Sequence, residues 1–126
     1  MSHPFFAYIA RLRHIGRWGL MHNTMQENVQ EHSHMVAVLA HTLAVIRNER
    51  FGGTVDPGRV AVAALYHDAS EIFTGDLPTP VKYANPAIRE AYKAVERDAA
   101  DKLAAMLPDA LRPAFSAVLS GEDPEV

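Results

Sequence analysis

Residues 28–51 read Asn28-Val-Gln-Glu31-His32-Ser-His34-Met-Val36-Ala-Val-Leu39-Ala-His41-Thr-Leu43-Ala-Val-Ile46-Arg-Asn-Glu-Arg-Phe51, and Gly52-Gly53 follows. Asn28 can cap a helix, and Glu31, three positions on, can reach back to the amide of the cap. Gly52-Gly53 ends it, because glycine adopts a left-handed closing conformation without steric cost. Between these signals His32, Val36, Leu39, Leu43 and Ile46 recur at steps of four and three. That spacing predicts one long helix that buries this stripe and carries His32 at its end. His34 and His41 fall roughly opposite His32, at about 100° per residue, and read as surface.

The flanks repeat the pattern. Pro4 in a first turn predicts a helix to about Ile15, ended by Gly16. Asp56-Pro57 opens another by the same cap-then-proline logic, predicted to run through His67-Asp68 to about Phe73, before Gly75. Asp76-Leu77-Pro78-Thr79-Pro80 is predicted to be non-helical, since each proline pushes its predecessor into extended backbone. Asn85-Pro86 starts an amphipathic helix to about Leu107, and a last short one fades at Gly121. Twenty alanines and no sustained two-residue alternation complete the reading. It predicts an all-α bundle of about five to six helices in one domain, residues 1–126.

Composition narrows the function. The 126 residues are 48% hydrophobic and 21% charged, and the longest apolar run is Val60–Tyr66, too short to span a bilayer. Phe5–Ala10 has no basic flank before it, so no signal peptide is expected. The absence of cysteine removes disulfides, thiolate metal ligands and thiol nucleophiles, and fits a reducing cytoplasm. Net charge −3 and a pI near 6.1 disfavour nucleic acid as a partner. Charge is nonetheless uneven: Arg11, Arg13 and Arg17 fall in the first 26 residues, which hold no acid, so a small anion can be received there.

The chemistry gathers at the end of the helix from Pro57. Val60, Ala64, His67 and Glu71 are predicted to share a face, with Asp68 about 100° round. Three ionisable groups ending an apolar stripe need partners or a metal. His67-Asp68 with a histidine from a second helix gives a nitrogen–oxygen set suited to a divalent transition metal. Spacing alone equally allows a buried His–Asp ion pair without metal. Other chemistries lack their marks. No Gly-rich phosphate loop is present, Ser70 has no nucleophile elbow, and His-Glu-x-x-His does not occur.

Glu31-His32-Ser33, His67-Asp68-Ala-Ser-Glu71 and Gly75-Asp-Leu-Pro-Thr-Pro-Val-Lys82, with Arg17-Trp18 before them, resemble the HD-domain metal-dependent phosphohydrolases. Within that superfamily the likeness is to the bacterial 5′-deoxynucleotidase family of the YfbR type, over essentially the whole chain. The resemblance implies one divalent transition metal (Co, Mn, Zn, Cu, Ni or Fe) on His32, His67, Asp68 and a distant Asp. That last Asp belongs to a helix further downstream in the family. Asp98, Asp101, Asp109 and Asp123 lack its context, so residues 1–126 are expected to be the N-terminal part of a longer HD domain. Arg17 is then expected to grip phosphate and Glu71 to exchange a proton. Trp18, Asp68, Asp76, Leu77, Pro78 and Thr79 are expected to contact a deoxyribonucleoside 5′-monophosphate. A homodimer is expected, with neither nucleic acid nor membrane as partner. Another HD phosphohydrolase, acting on a nucleoside triphosphate, cyclic dinucleotide or alarmone, and a non-catalytic metal-binding module are the alternatives.

Overall fold

In the computed structural model, residues 4–17, 26–76 and 79–121 are described, Thr79 and Pro80 by backbone alone. Five helices of six or more residues form the body: α1 (Phe5–Ala10), α2 (Val29–Phe51), α3 (Pro57–Tyr66), α6 (Pro86–Ala105) and α7 (Arg112–Ser120). One-turn helices α4 (Glu71–Thr74) and α5 (Thr79–Lys82) link α3 to α6, and a 3₁₀ turn, Arg11–His14, continues α1. Among the described residues there is no strand, and no helix is long and apolar enough to cross a membrane.

Local signals set the helix ends. Asn28 accepts a hydrogen bond from the Glu31 amide at 2.8 Å, and the Asn28 amide donates to Glu31 Oε1 at 3.2 Å. This is the reciprocal cap predicted for α2. Gly52 closes that helix with φ +68°, in the left-handed region that favours glycine. Asp56 and Asn85 cap α3 and α6, each followed by proline in the first turn. At Thr79-Pro80 the non-helical expectation is corrected, because one helical turn starts there and Pro80 sits in it. A first-turn amide needs no intrahelical acceptor, so the ring costs nothing.

The core is built on Phe5, Ala69, Leu103 and Leu107, surrounded by Tyr8, Ile9, Tyr66, Ile72, Met106, Phe115 and Leu119. Leu103 and Leu107 are fully buried, each contributing roughly 1.5–3 kcal/mol. Helix α2 lies outside this cluster and packs mainly on α3. Its buried residues are small: Val29, Ser33, Ala37 and Ala44, matched on α3 by Ala63 and Ala64. Small side chains let two helices approach closely, so they took the interface. The predicted stripe is thereby corrected: Leu39 is 55% and Leu43 65% exposed, and Ile46 is exposed too. His34 and His41 are on the surface, as the spacing predicted.

Candidate metal centre

The helix expected to run from Pro57 to Phe73 stops at Tyr66. Residues 67–70 form a tightened turn, in which Ala69, Glu71, Ile72 and Phe73 amides bond carbonyls three residues back, at 3.0–3.2 Å. Ala69, 2% exposed, anchors this turn in the core. With three residues per turn, positions i and i+3 eclipse. Asp68 and Glu71 are thus brought to one side, close enough for the charge of Asp68 to act on Glu71, and the charge of Glu71 also reaches His67.

His32 reaches this turn from the fourth position of α2. Its Nε2 lies 3.5 Å from Asp68 Oδ2, and His67 Nε2 lies 3.0 Å from the same oxygen. The imidazole centroids are 5.5 Å apart. One donor atom from each of His32, His67 and Asp68 falls within 4.8 Å of the others, the geometry a single cation needs. His67 Nδ1 donates to the Ala64 carbonyl at 2.6 Å, which fixes the ring and turns Nε2 toward Asp68. Two imidazole nitrogens and one carboxylate suit a borderline divalent transition metal. Asp98 pairs with Lys102 and Asp109 with Arg112, and neither joins the cluster. Asp101 does not join it either, and Asp123 lies outside the described residues.

The charges around the cluster are directional. Burial works against ionisation of Asp68, yet the hydrogen bond and charge of His67 hold its carboxyl below the usual range. Burial likewise opposes protonation of His67, but Asp68 outweighs it and raises the imidazole. His32 is lowered, first by burial and then by the positive charge of Arg17. Glu71 is 3% exposed, and burial, with the charges of Asp68 and Asp76 added, pushes its carboxyl up to about 7. Lys82 opposes that rise from 3.6 Å.

Arg17 is set beside α2 by backbone pairing. Its amide donates to the Glu27 carbonyl at 2.7 Å, the Val29 amide donates to the Ile15 carbonyl at 2.8 Å, and Gly16 bridges Asn28. The guanidinium bonds Glu27 Oε2 at 2.7 Å. Asp76 is half-buried and close enough to Glu71 for its charge to act there. Trp18, Leu77 and Pro78 lie outside the described residues, as does the Thr79 side chain. Two residues of this site were missed in sequence: Glu27, which holds Arg17, and Lys82, which holds Glu71. Lys82 had a signal, being the chain's first lysine and following two acids, Glu71 and Asp76.

Comparison with known proteins gives the family and the fold. The family model described as 5′-deoxynucleotidase YfbR-like matches residues 4–126. A 5′-deoxynucleotidase of Cronobacter sakazakii is 56% identical over 115 residues, 91% of this chain and 58% of that protein. The 5′-deoxynucleotidase YfbR of Escherichia coli (strain SMS-3-5) is 54% identical over the same shares. The crystal structure of an HD-domain phosphohydrolase from Listeria innocua superposes with a TM-score of 0.83 at 31% identity. That match covers 98% of this chain and 60% of the other. The chain thus spans about 58% of the length of the curated relatives it matches.

Proposed function

Since the chain belongs to the YfbR-like 5′-deoxynucleotidase family, we propose that it takes part in hydrolysing deoxyribonucleoside 5′-monophosphates to deoxyribonucleoside and phosphate. The observation that carries this reading is the convergence of His32, His67 and Asp68 within 4.8 Å, beside the buried Glu71. In it, His32, His67 and Asp68 would hold one divalent transition metal. Such an ion supplies positive charge for the phosphate oxygens and makes water a better nucleophile near neutral pH.

The remaining steps belong to the chain's own side chains. Arg17, held by Glu27, offers a planar fork that neutralises charge on the phosphoryl oxygens. Glu71, with a carboxyl near pH 7, is poised to exchange a proton with the attacking water or the leaving 5′ oxygen. Asp68 doubles as a wall for the phosphate. Asp76, Leu77, Pro78 and Thr79 are assigned to the sugar, and together with Trp18 they set the preference for deoxyribose. The protein works in this reading as a homodimer in the cytoplasm. The exposed Met35, Leu39, Leu43 and Ile46 of α2 offer an apolar face to a second copy.

Phosphate release from purified protein with Mn²⁺ or Co²⁺ tests the reading. Turnover of deoxyribonucleoside monophosphates above their ribose counterparts is expected, with loss of that preference in Trp18→Ala. Release from nucleoside triphosphates, cyclic dinucleotides or alarmones instead moves the chain to another HD activity. Bound metal with no turnover of any of these leaves a non-catalytic module. Light scattering checks the dimer, and a monomer at micromolar concentration removes that part.

A further inference from the structure

The Glu71 carboxylate presents two unlike oxygens. Oε1 lies 3.6 Å from Lys82 Nζ, whereas Oε2 is buried without a hydrogen-bond partner among the described residues. A buried acceptor left unpaired carries its full desolvation cost, so such an atom in a native site calls for a reason. Lys82 is unusual as well. Its side chain is 16% exposed, against 61% for Lys102, whose pair with Asp98 is an ordinary surface contact. The Lys82 ammonium sits 5.1 Å from the centre of the Tyr92 ring, on α6. Tyr92 is itself buried, with its hydroxyl 3.4 Å from Thr74 Oγ1 on α4. Three elements, α4, α5 and α6, therefore converge to station one cation beside one oxygen of Glu71.

We propose that Lys82 is a positioning residue, whose ammonium, seated on Tyr92, holds Glu71 by Oε1 and keeps Oε2 as the oxygen that exchanges the proton. This rests on the reading of Glu71 as the proton-transfer group. An ion pair through one oxygen leaves the other open to a further partner. Here the anchor engages one and spares the other. The charged and titratable groups around the pair are His67 and Asp68 on the turn, Asp76 after α4, and Tyr92 and Glu96 on α6.

The test compares wild type, Glu71→Gln, Lys82→Met, Lys82→Arg and the Lys82→Met/Glu71→Gln double variant. Each is assayed for phosphate release from a deoxyribonucleoside 5′-monophosphate, Co²⁺ affinity by calorimetry, and thermal unfolding. Lys82→Met is expected to lower kcat by about 10²-fold, the cost of a misplaced catalytic group, with KM and Co²⁺ affinity within about threefold of wild type. Lys82→Arg, which keeps the charge in a different shape, is expected to recover kcat to within about tenfold of wild type. The double variant is expected to be no slower than Glu71→Gln, because Lys82 acts through Glu71. The limb of the pH–rate profile that Glu71→Gln abolishes is expected to move up in Lys82→Met, which loses the cation opposing Asp68 and Asp76. A Lys82→Met protein with wild-type kcat and an unmoved limb overturns the proposal, while a slow Glu71→Gln leaves the role of Glu71 standing. A Glu71→Gln protein as fast as wild type, or an inactive wild type, overturns the role of Glu71 and this proposal with it. A fall in kcat that tracks melting temperature and is not restored by Lys82→Arg overturns it in favour of a pair that serves stability alone.

Discussion

The corner around Asp68 and the corner around Glu71 are three residues apart on one tightened turn, yet they treat a carboxylate in opposite ways. Asp68 is 19% exposed in its side chain and faces two imidazoles, so its charged form is favoured despite burial. Glu71 is almost wholly buried among like charges, with a single cation 3.6 Å from one oxygen, and its neutral form persists to about pH 7. A group that stays ionised suits ligation of a cation. A group that titrates near neutrality suits proton exchange. Divergence of two neighbouring carboxyls fits the two tasks proposed for them, and it comes from what each faces more than from depth alone.

Removing Asp68 is the strongest way to break the comparison. Asp68→Ala should abolish measurable metal binding and reduce turnover by more than about 10⁴-fold, because among the described residues it removes one of three donors and the anionic one. Calorimetry with Mn²⁺ or Co²⁺ and phosphate release check this together. Retained stoichiometric metal would mean that the ligand set lies elsewhere. Glu71→Gln should separate the corners next. It should lower kcat by about 10²–10⁴-fold while metal affinity stays within a few-fold of wild type. Equal loss of both properties would erase the distinction between ligand and proton carrier.

Much of this arrangement was legible in the sequence, for a local reason. Asn28 with Glu31, Asn85-Pro86 and Gly52 carry their helix boundaries in their own side chains or backbone freedom, so they need no tertiary partner to be read. His67 and Asp68 were legible as ionisable groups ending an apolar stripe, whereas His32 came from the resemblance to the HD family, since the stripe it was expected to end is exposed. Other features were not legible. The apolar period of α2 gave a stripe through Leu39 and Leu43, but which face is buried depends on the neighbour, and close packing on α3 selected Ser33, Ala37 and Ala44. The break of the helix at His67 was hidden too, because no glycine or proline marks it. Core anchoring of Ala69 outweighs helix propensity there. Lys82 and Glu27 act on Glu71 and Arg17 across 11 and 10 positions, by contacts that no period encodes.

The comparison can be sharpened through stability, with a smaller effect. The Glu71 carboxyl is raised from 4.5 to about 7, so the folded protein keeps a proton that the unfolded chain releases. Its contribution is therefore complete below about pH 4.5 and is lost as pH rises to about 7, by roughly 3 kcal/mol. Asp68, lowered in the fold, contributes above its unfolded value of 3.8 and loses that contribution on acidification. Urea unfolding of the metal-free protein between pH 5 and 8 should show wild type falling relative to Glu71→Gln across this range. Parallel curves for the two proteins would show that Glu71 is ionised throughout, and the contrast with Asp68 would go.

The smallest effect comes from the cap of α2. His32 is the fourth residue of that helix, so the first turn fixes where its imidazole meets Asp68. Asn28→Ala removes the side-chain acceptor for the Glu31 amide, which typically costs about 1 kcal/mol. Val29 is fully buried and its amide bonds Ile15, so the turn should loosen without unfolding. Metal affinity should then fall a few-fold, while the pH dependence of stability that belongs to Glu71 stays as in wild type, since α4 and α5 are untouched. Asn28→Asp, which keeps an acceptor at the same place, should behave as wild type in both measurements. Calorimetry and urea unfolding of the three proteins decide the matter. If Asn28→Ala loses stability but binds metal as tightly as before, His32 is held by its packing on α3, and the Asp68 corner is as independent of α2's first turn as the Glu71 corner is.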